Sequence, residues 1–236
     1  MTEQTLRWHR VDDAKQLQQE ASRWVLDAAA AAIAARGVFH VVLAGGGTPK
    51  PTYHALRDAQ TDWRAWHVYY GDERCVPEHD PQRNSAMARQ AWLDHVPLPE
   101  ANIHAIPAER GAEQGAQAYA DTLRDVGAFD LVILGLGEDG HTASLFPGHD
   151  WGEDAASPMV LPVHDAPKPP PDRISLSAAR LADARQVLFL VDGEGKRDAV
   201  RRWLAGDRLP AASICPLGGV DVLVQAGLLD AEPKNH

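Results

Sequence analysis

The stretch FDLVILGLGEDGHTASLFPG, residues 129–148, decides the fold of this 236-residue chain. Residues 129–134 are apolar apart from Asp130 and are partly β-branched, which is typical of a fully buried strand. Glycines and two acids follow and lead to His141, and we expect one short helical turn over residues 142–146 before Pro147. In an open α/β sheet, ligands bind beyond the carboxyl ends of the strands. The sequence therefore predicts a titratable histidine at a position where a binding site would lie.

This stretch has two other interpretations. A histidine after a glycine turn is most often an ordinary loop residue. Gly135, Gly137 and Gly140 also match the spacing of a dinucleotide-binding loop, which must open a helix of several turns. Pro147 and Gly148 would end such a helix too early, and the segment beyond them is rich in proline. We therefore reject the dinucleotide interpretation.

Composition limits the class of protein. With 44% apolar and 24% charged residues, the chain is typical of a globular protein, and we expect a single α/β domain over residues 1–236. The net charge of −10 argues against a nucleic-acid partner. No apolar run is long enough to span a membrane, and the first ten residues contain no signal-peptide core. Cys75 and Cys215 give neither a disulfide framework nor a metal-binding spacing, so we expect a reducing, cytoplasmic environment.

A glycine-rich turn follows the first predicted helix and strand. Asp12 or Asp13 can cap an Ala-rich helix that runs to about residue 35, and residues 38–44 are predicted to be a buried strand. Thr48 and Pro49 are predicted to begin the next helix as N-cap and first residue. A turn of this kind can present backbone N–H groups to an anion, although a plain strand-to-helix turn would have the same pattern. The residues of this candidate anion site are Gly45, Gly46, Gly47 and Thr48.

Two further predicted strands end in charged residues. The strand over residues 66–70 is followed by Asp72, Glu73 and Arg74. This triplet could supply acid or hydrogen-bonding groups and a planar cation, or it could be no more than a solvated turn. A later buried strand is followed by Lys196, which we place in the first turn of the next helix. Lys196 is either an ordinary surface lysine or a cation for an anionic ligand.

The remaining pattern alternates strands with helices. Asn84 can cap one helix, and residues 109–126 are predicted to form another. Residues 159–163 and 173–176 are predicted strands, and the proline-rich segment 167–171 between them should be stiff and extended. The alternation predicts an open, mostly parallel, Rossmann-like α/β sheet with helices on both faces.

These motifs together resemble those of the 6-phosphogluconolactonase family. The loop at residues 45–49 is similar to the family's glycine-rich phosphate loop. GDERCVPEHD (residues 71–80) resembles its Asp-Glu-Arg-x-Val-Pro signature, and residues 134–148 match its most specific motif almost letter for letter. Three shorter elements also fit, namely Arg173 with Ser175-Leu176, Gly193-x-x-Lys196 and the late segment PAASI. One departure is Arg83, where the family usually has serine, which puts a hydrogen bond of that loop in doubt.

The resemblance implies an activity and a set of site residues. The activity is hydrolysis of 6-phospho-D-glucono-1,5-lactone to 6-phospho-D-gluconate, the second step of the oxidative pentose phosphate pathway. A water activated by His141 would attack the lactone, and the helical turn expected after His141 would disfavour its charged form. The implied catalytic residues are His141, Asp139, Arg74 and Asp72. The implied substrate- and phosphate-binding residues are Gly45, Gly46, Gly47, Thr48, Arg173 and Lys196.

No cofactor is expected, and no metal either, because the motifs contain one histidine and no cysteine pair at ligand spacing. The resemblance implies a small sugar-phosphate lactone as the partner, and we expect a monomer or weak homo-oligomer. Two alternatives stay open. Glucosamine-6-phosphate deaminases share the fold, the glycine-rich loop and an Asp-Gly-His element, although residues 142–148 and the triplet at 72–74 follow the lactonase pattern. A non-catalytic sugar-phosphate-binding regulator would keep the phosphate loop but would not need His141 between acids. Measured turnover separates this last alternative from an enzyme.

Overall fold

The computed structural model describes residues 4–230 and contains two sheets. Its strands are β1 (Leu6–Val11), β2 (Phe39–Leu43), β3 (Trp66–Tyr70), β4 (Asp72–Arg74), β5 (Leu131–Gly135), β6 (Val160–Val163), β7 (Arg173–Leu176), β8 (Val187–Val191) and β9 (Val220–Gln225). Its α-helices are α1 (Ala14–Arg36), α2 (Lys50–Ala55), α3 (Asn84–Ala91), α4 (Ala112–Leu123), α5 (Ala178–Ala182) and α6 (Arg197–Leu204). Short 3₁₀ helices cover Leu56–Asp58, Trp63–Ala65, Leu93–His95, Glu100–Asn102, Ala108–Arg110, Glu194–Lys196, Ala211–Ser213 and Ala226–Leu228.

The larger sheet has six strands in the order β1-β9-β8-β5-β2-β3, and every neighbouring pair is parallel. In the register, Val42 of β2 lies between Tyr69 of β3 and Val132 of β5. All residues of β8 and all but the last of β5 are buried, because a parallel sheet is covered on both faces. This burial explains the unbroken apolar runs in the sequence. The prediction of an open, mostly parallel α/β sheet is confirmed.

The chain leaves β2 and β5 in opposite directions along this sheet. From β2 it passes through α2 to β3 at one edge, whereas from β5 it returns to β8 on the other side, with α5 just before β8. Because crossovers between parallel strands are right-handed, the two connections cover opposite faces. The carboxyl ends of β2 and β5 therefore frame a crevice, which is where open α/β sheets bind ligands.

A small antiparallel sheet, in the order β4-β7-β6, lies next to the carboxyl end of β3. Only Gly71 separates β4 from β3, and the Gly71 N–H donates to the carbonyl oxygen of Leu43 at the end of β2, at 3.0 Å. Arg74 of β4 pairs in register with Arg173 of β7. The small sheet thus brings residues from two distant motifs to the same end of the large sheet.

Aromatic rings fill the interior beside β2 and β3. Trp66 meets Phe39 edge-on with ring centroids 4.7 Å apart, and its centroid lies 4.8 Å from that of Trp63 and 5.6 Å from that of Trp92. Trp66, Phe39 and Trp92 are fully buried. Each such aromatic pair contributes about 0.5–1.5 kcal/mol beyond the burial of its apolar area. The cluster holds the end of α3 against the edge of the sheet.

The starts of α2 and α3 differ from the sequence prediction. Thr48 makes no capping hydrogen bond, and the N-cap of α2 is Pro49. At α3 the N-cap is Arg83 rather than Asn84. The reason is that the Asn84 side chain donates instead to the backbone oxygen and the carboxylate of Asp72, at 2.9 and 3.0 Å. Both predicted caps are therefore wrong, and Asn84 has a role away from its own helix end.

Two other elements also depart from the prediction. Helix α4 is shorter than the predicted 109–126, because Gly111 with φ of 84° separates it from the preceding 3₁₀ turn. Strand β1 was not predicted, since its three apolar residues are interspersed with three polar ones at the edge of the sheet. An edge strand of this kind carries a weaker apolar signal than a central strand.

Residues 142–146 form a β-turn and not the predicted helical turn. The backbone N–H of Leu145 donates to the carbonyl of Thr142 at 2.9 Å, and these two residues form an isolated bridge. Between them, Ala143 has φ of 48°, which lies outside the right-handed helical region. No helix terminus therefore acts on His141, and another cause must keep its imidazole neutral.

Three half-buried histidines lie together at the amino ends of β2 and β3. His67 Nδ1 and His104 Nε2 are 3.1 Å apart, and their rings are inclined by only 10°. One ring nitrogen must donate and the other accept, so the two imidazoles cannot both be positively charged in this arrangement. The ring of His40 lies 5.1 Å from that of His67. Burial, followed by the charges of the neighbouring histidines, lowers the pKa of His104 to about 4.

We expect this cluster to make the fold less stable in mild acid. A histidine has a pKa near 6.5 in the unfolded chain. Because the pKa of His104 is lower in the fold, the unfolded state binds more protons as the pH falls from about 6.5 towards about 4, and stability is lost over that window. Urea unfolding at a series of pH values should show a smaller loss for His104→Gln than for the wild type. The matched control is His149→Gln, an exposed histidine, and an equal pH dependence in all three proteins would refute the expectation.

Candidate active site

The loop after β5 presents His141 with one side of its imidazole already occupied. Asp139 Oδ1 lies 2.5 Å from His141 Nδ1 and also accepts the backbone N–H of His141 at 3.2 Å. Since Nδ1 faces a carboxylate, it carries the proton in the neutral ring, and Nε2 keeps its lone pair. The His141 side chain is 19% exposed, so the imidazole is largely shielded from water.

The neutral form of His141 is favoured by burial. Burial lowers the pKa of His141, while the hydrogen bond and the charge of Asp139 oppose that shift. Burial acts to raise the pKa of Asp139, but its hydrogen bond to His141 and the charge of His141 outweigh burial, so that this pKa is lowered. The pair is therefore a carboxylate beside a neutral imidazole near pH 7. Burial therefore has the effect that was expected of a helix terminus, and residues 142–146 form no helix.

Two glycines allow the chain to turn tightly behind this imidazole. The N–H of Gly137 donates to the carbonyl of His141 at 2.7 Å, which closes the loop. A Cβ atom at Gly137 would lie 2.0 Å from His141 Nδ1, so no larger residue fits without moving the ring. Gly140 has φ of 88°, a conformation that L side chains rarely adopt. The glycine spacing of this motif thus serves the placement of a side chain, not the binding of a dinucleotide.

One cleft of about 320 Å³ at the carboxyl ends of β2 and β5 joins the separate motifs. All the predicted site residues except Asp139 line it, and Asp139 contacts the cleft through His141. Among the lining residues that were not predicted from the sequence, two are polar or charged, namely Asn84 and Lys168. The predicted residues in its wall are Gly45, Gly46, Gly47, Thr48, Asp72, Arg74, His141, Arg173 and Lys196.

Asp72 lies in the wall of this cleft with both carboxylate oxygens occupied. Its Oδ2 accepts the Ser144 hydroxyl at 2.6 Å, and its Oδ1 accepts the Asn84 side-chain amide at 3.0 Å. The residue is only 7% exposed. The interpretation of this triplet as a solvated turn is therefore wrong for Asp72, which is held in one orientation by residues from two other segments.

Glu73 is completely buried and points away from solvent. Its carboxylate accepts backbone N–H groups from Arg74, Asn84 and Ser85 at 2.7–2.9 Å. Burial raises the pKa of Glu73, and these hydrogen bonds oppose that shift. Glu73 does not line the cleft, and its contacts instead fasten the start of α3 to β4, on which Asp72 and Arg74 lie.

Arg83, the departure from the family pattern, is a buried structural residue. Its guanidinium donates to the carbonyls of Val76 and Ile106 at 3.0 and 2.9 Å and lies 3.4 Å from the Glu73 carboxylate. The loop in which the departure put a hydrogen bond in doubt is therefore held by the arginine itself. Because an arginine provides five donors, it can connect more backbone groups than a serine could.

Arg74 offers part of its guanidinium to the cleft. Its Nη1 donates to the carbonyl of Gln82, whereas its buried Nε has no partner among the described residues. A buried donor without a partner is costly, and such groups are often completed by a ligand or by water. Arg74 thus combines a positive charge with unused hydrogen-bonding capacity at this site.

Arg173 and Lys196 bring positive charge to the same cleft from different strands. Arg173 is 5% exposed and uses its Nε and Nη2 to donate to backbone carbonyls of the proline-rich segment. Burial lowers the pKa of both Arg173 and Lys196. Within residues 4–230, Lys196 has no ion pair, and it ends a 3₁₀ turn before α6 instead of lying in the first α-helical turn. The ammonium is therefore available to an anion.

Between residues 4 and 230, no group of three or more His, Cys, Asp or Glu side chains is arranged to hold a metal ion. In the same range, no helix is both long and apolar enough to cross a membrane.

The residues that support the site are less visible in the sequence than the site itself. Ser144 and Gly137 lie inside the motif that was singled out, but contacts between segments give them their roles. Asn84 was assigned to a helix end, because its neighbour in space, Asp72, is distant in sequence. Lys168 was visible in the proline-rich segment, yet nothing local shows which way that segment turns.

Comparison with known proteins identifies the family of this chain. Residues 12–223 match the family model described as glucosamine-6-phosphate isomerases/6-phosphogluconolactonase. A 6-phosphogluconolactonase of Synechocystis sp. is 42% identical over 79% of this chain and 82% of its own length. One from Mycobacterium leprae is 36% identical over 93% of this chain and 94% of its own. The crystal structure of 6-phosphogluconolactonase from Thermotoga maritima superposes with a TM-score of 0.86 at 25% identity, covering 93% of this chain and 99% of that one. The family prediction is confirmed, and the chain belongs to the glucosamine-6-phosphate isomerase/6-phosphogluconolactonase family.

Proposed function

We propose that this chain is a 6-phosphogluconolactonase, which hydrolyses 6-phospho-D-glucono-1,5-lactone to 6-phospho-D-gluconate. Curated relatives with this activity in their names support the reaction class. The observation that carries the proposal is a single cleft with His141, supported by Asp139, together with a glycine-rich turn and Lys196. A cleft that pairs a neutral base with cations fits a substrate with a hydrolysable carbonyl and a phosphate.

In the proposed reaction, His141 acts as the general base. Its Nε2 removes a proton from a water molecule as the water oxygen attacks the lactone carbonyl carbon. Negative charge develops on the carbonyl oxygen, and the guanidinium of Arg74 is the proposed group that stabilises it. The bond from the carbonyl carbon to the ring oxygen then breaks, and His141 donates the proton that it took from the water to the ring oxygen. The sum is one lactone and one water converted to one acid, with no cofactor or metal needed.

The phosphate is proposed to bind at the glycine-rich turn, beside Lys196 and Arg173. Each charge-assisted hydrogen bond contributes roughly 1.5–3 kcal/mol, whereas a helix terminus contributes roughly 0.3–1 kcal/mol. Helix α2 has only six residues, so its dipole is a minor part of the attraction. Binding energy should come chiefly from backbone N–H groups of Gly45, Gly46, Gly47 and Thr48 and from the two cations.

Asp72 is proposed to act on the substrate without transferring a proton. Both of its oxygens already accept hydrogen bonds, from Ser144 and Asn84, so its carboxylate is fixed in place. A fixed carboxylate in the cleft wall can accept a hydrogen bond from a substrate hydroxyl and can favour the imidazolium that forms at His141. This orienting role fits its burial better than a role as the base.

The proposal predicts that the purified protein speeds lactone opening well above its spontaneous rate. The lactone is generated in situ by a dehydrogenase, and acid release is followed with and without this protein. Acceleration that saturates with lactone concentration supports the proposal. Ammonia release from glucosamine 6-phosphate without lactone turnover would point to a deaminase instead. Binding of 6-phosphogluconate with neither activity would point to a regulator.

The proposed setting is a single domain over residues 1–236 in a reducing cytoplasm, with a small sugar-phosphate lactone as the partner. Cys75 and Cys215, the two cysteines of the sequence, are not joined in a disulfide, which supports a reducing compartment. Among the described residues, the exposed large apolar side chains are those of Leu204 and Leu217. Their apolar surface is too small for a strong subunit interface, which supports a monomer or weak homo-oligomer. The net charge of −10 supports the expectation of no nucleic-acid partner.

A further inference from the structure

The loop between β6 and β7, residues 164–172, reaches the active-site cleft. Lys168 and Pro169 of this loop line the same cleft as His141 and Lys196. Lys168 is exposed, and within residues 4–230 its ammonium forms no ion pair and no side-chain hydrogen bond. A cation at the rim of a cleft, without a protein partner, is free to meet a ligand.

Lys168 and Lys196 form a pair of like charges in one cavity. They approach it from different segments, Lys168 from the loop and Lys196 from the turn after β8. The charge of Lys168 contributes to lowering the pKa of Lys196, after burial, and also that of His141. Two like charges in one cleft repel each other until an anion lies between them. A phosphate monoester, which carries a charge of about −1.5 to −2 at pH 7, would relieve this repulsion.

Arg173 fixes the part of the loop that carries Lys168. Its Nη2 donates to the carbonyl oxygens of Lys168 and Pro169 at 2.9 and 3.3 Å, and its Nε donates to that of Pro170 at 3.1 Å. Arg173 lies in β7, which is paired on both sides within the small sheet. A rigid strand therefore sets the position of the loop through three backbone contacts, and these contacts occupy two of the three guanidinium nitrogens.

We propose that Lys168 is a further substrate-binding residue, which shares the phosphate group of the substrate with Lys196, and that Arg173 positions it. The inference rests on the proposed function for the identity of the substrate. The phosphate is the favoured target because it is the group that carries enough negative charge for two ammonium ions. The lactone carbonyl is neutral before attack, and the group proposed to act there is His141, which activates the attacking water.

Steady-state kinetics of Lys168→Met test this inference. We expect KM for the lactone to rise about tenfold, the equivalent of about 1.4 kcal/mol, with kcat changed less than about twofold. Lys168→Arg, which keeps the charge, should restore KM to near the wild-type value. The matched control is Lys15→Met, which removes an exposed lysine on α1 and should leave both constants unchanged. An unchanged KM in Lys168→Met overturns the inference.

The positioning role of Arg173 is tested by combining variants. Arg173→Lys keeps a positive charge but loses the fork that reaches three carbonyls. If Arg173 acts through Lys168, then Lys168→Met should raise KM much less in the Arg173→Lys background than in the wild type, below about threefold. An undiminished tenfold effect in that background would overturn the positioning role. Lys168→Met alone still tests the binding role should Arg173→Lys fold poorly.

Failure of this inference can be told from failure of the proposed function. If the wild type hydrolyses the lactone and Lys168→Met has normal KM, the function stands and the inference falls. If the wild type shows no turnover, calorimetric titration with 6-phosphogluconate replaces KM as the measurement. In that titration the inference requires about tenfold weaker binding by Lys168→Met, with Lys15→Met unchanged, and equal affinities would overturn it.

Discussion

His141→Gln is expected to lower kcat by about 10²–10⁴-fold, the usual contribution of a general base. Glutamine is close to histidine in size and can still donate a hydrogen bond to Asp139, but its amide nitrogen has no lone pair to accept a proton. Substrate binding does not depend on this side chain in our proposal, so KM should change little. The measurement is the in situ lactone assay, with the spontaneous rate subtracted at every pH.

The control for this variant is His149→Gln, which removes an exposed imidazole eight residues further along. It should keep full activity, and both variants should unfold at the wild-type temperature. If folded His141→Gln retained most of its kcat, the role of base would have to move to another group. Asp72 would be the next candidate, even though both of its oxygens are already hydrogen-bonded.

The large sheet could be predicted because strands that are buried on both faces have apolar residues at consecutive positions. Strands β5 and β8 read as unbroken apolar runs, and the polar residues that follow them mark the carboxyl edge. Since every parallel strand ends at that edge, distant motifs could be expected to meet there. The cleft does contain residues from the glycine-rich turn, β4, β7 and the segment after β8.

The remainder depended on contacts between segments, which local patterns do not show. Thr142 to Phe146 have the composition of a helical turn, but the bridge of Thr142 to Leu145 makes a β-turn instead. Glu73 looked like one of three equivalent charges, yet burial beneath α3 gives it a structural role. At such positions tertiary contacts override the helix propensity of the local sequence. The neutral state of His141 likewise depends on tertiary structure, because burial lowers the pKa of its imidazole.

Asp139→Asn is expected to lower kcat/KM by about 10- to 150-fold and to move the acidic limb of its pH profile to lower pH. The backbone N–H of His141 also donates to Asp139 Oδ1, so an asparagine oxygen should stay in that position and preserve the orientation of the ring. What disappears is the negative charge. His141 becomes positively charged in the transition state, so its hydrogen bond to Asp139 is then charge-assisted. Such a bond contributes roughly 1.5–3 kcal/mol, and its loss corresponds to the expected fall in kcat/KM.

The direction of the pH shift distinguishes this electrostatic role from a structural one. The hydrogen bond and charge of Asp139 raise the pKa of His141 against the effect of burial, so their removal must lower that pKa further. Because His141 acts in its neutral form, activity on the acidic side should then persist to lower pH while the plateau falls. Asp125→Asn, which removes an exposed carboxylate, controls for the change in net charge and should leave the profile unchanged. A plateau that falls with the acidic limb unmoved would mean that Asp139 only shapes the loop, and a limb that moves to higher pH would contradict the pairing itself.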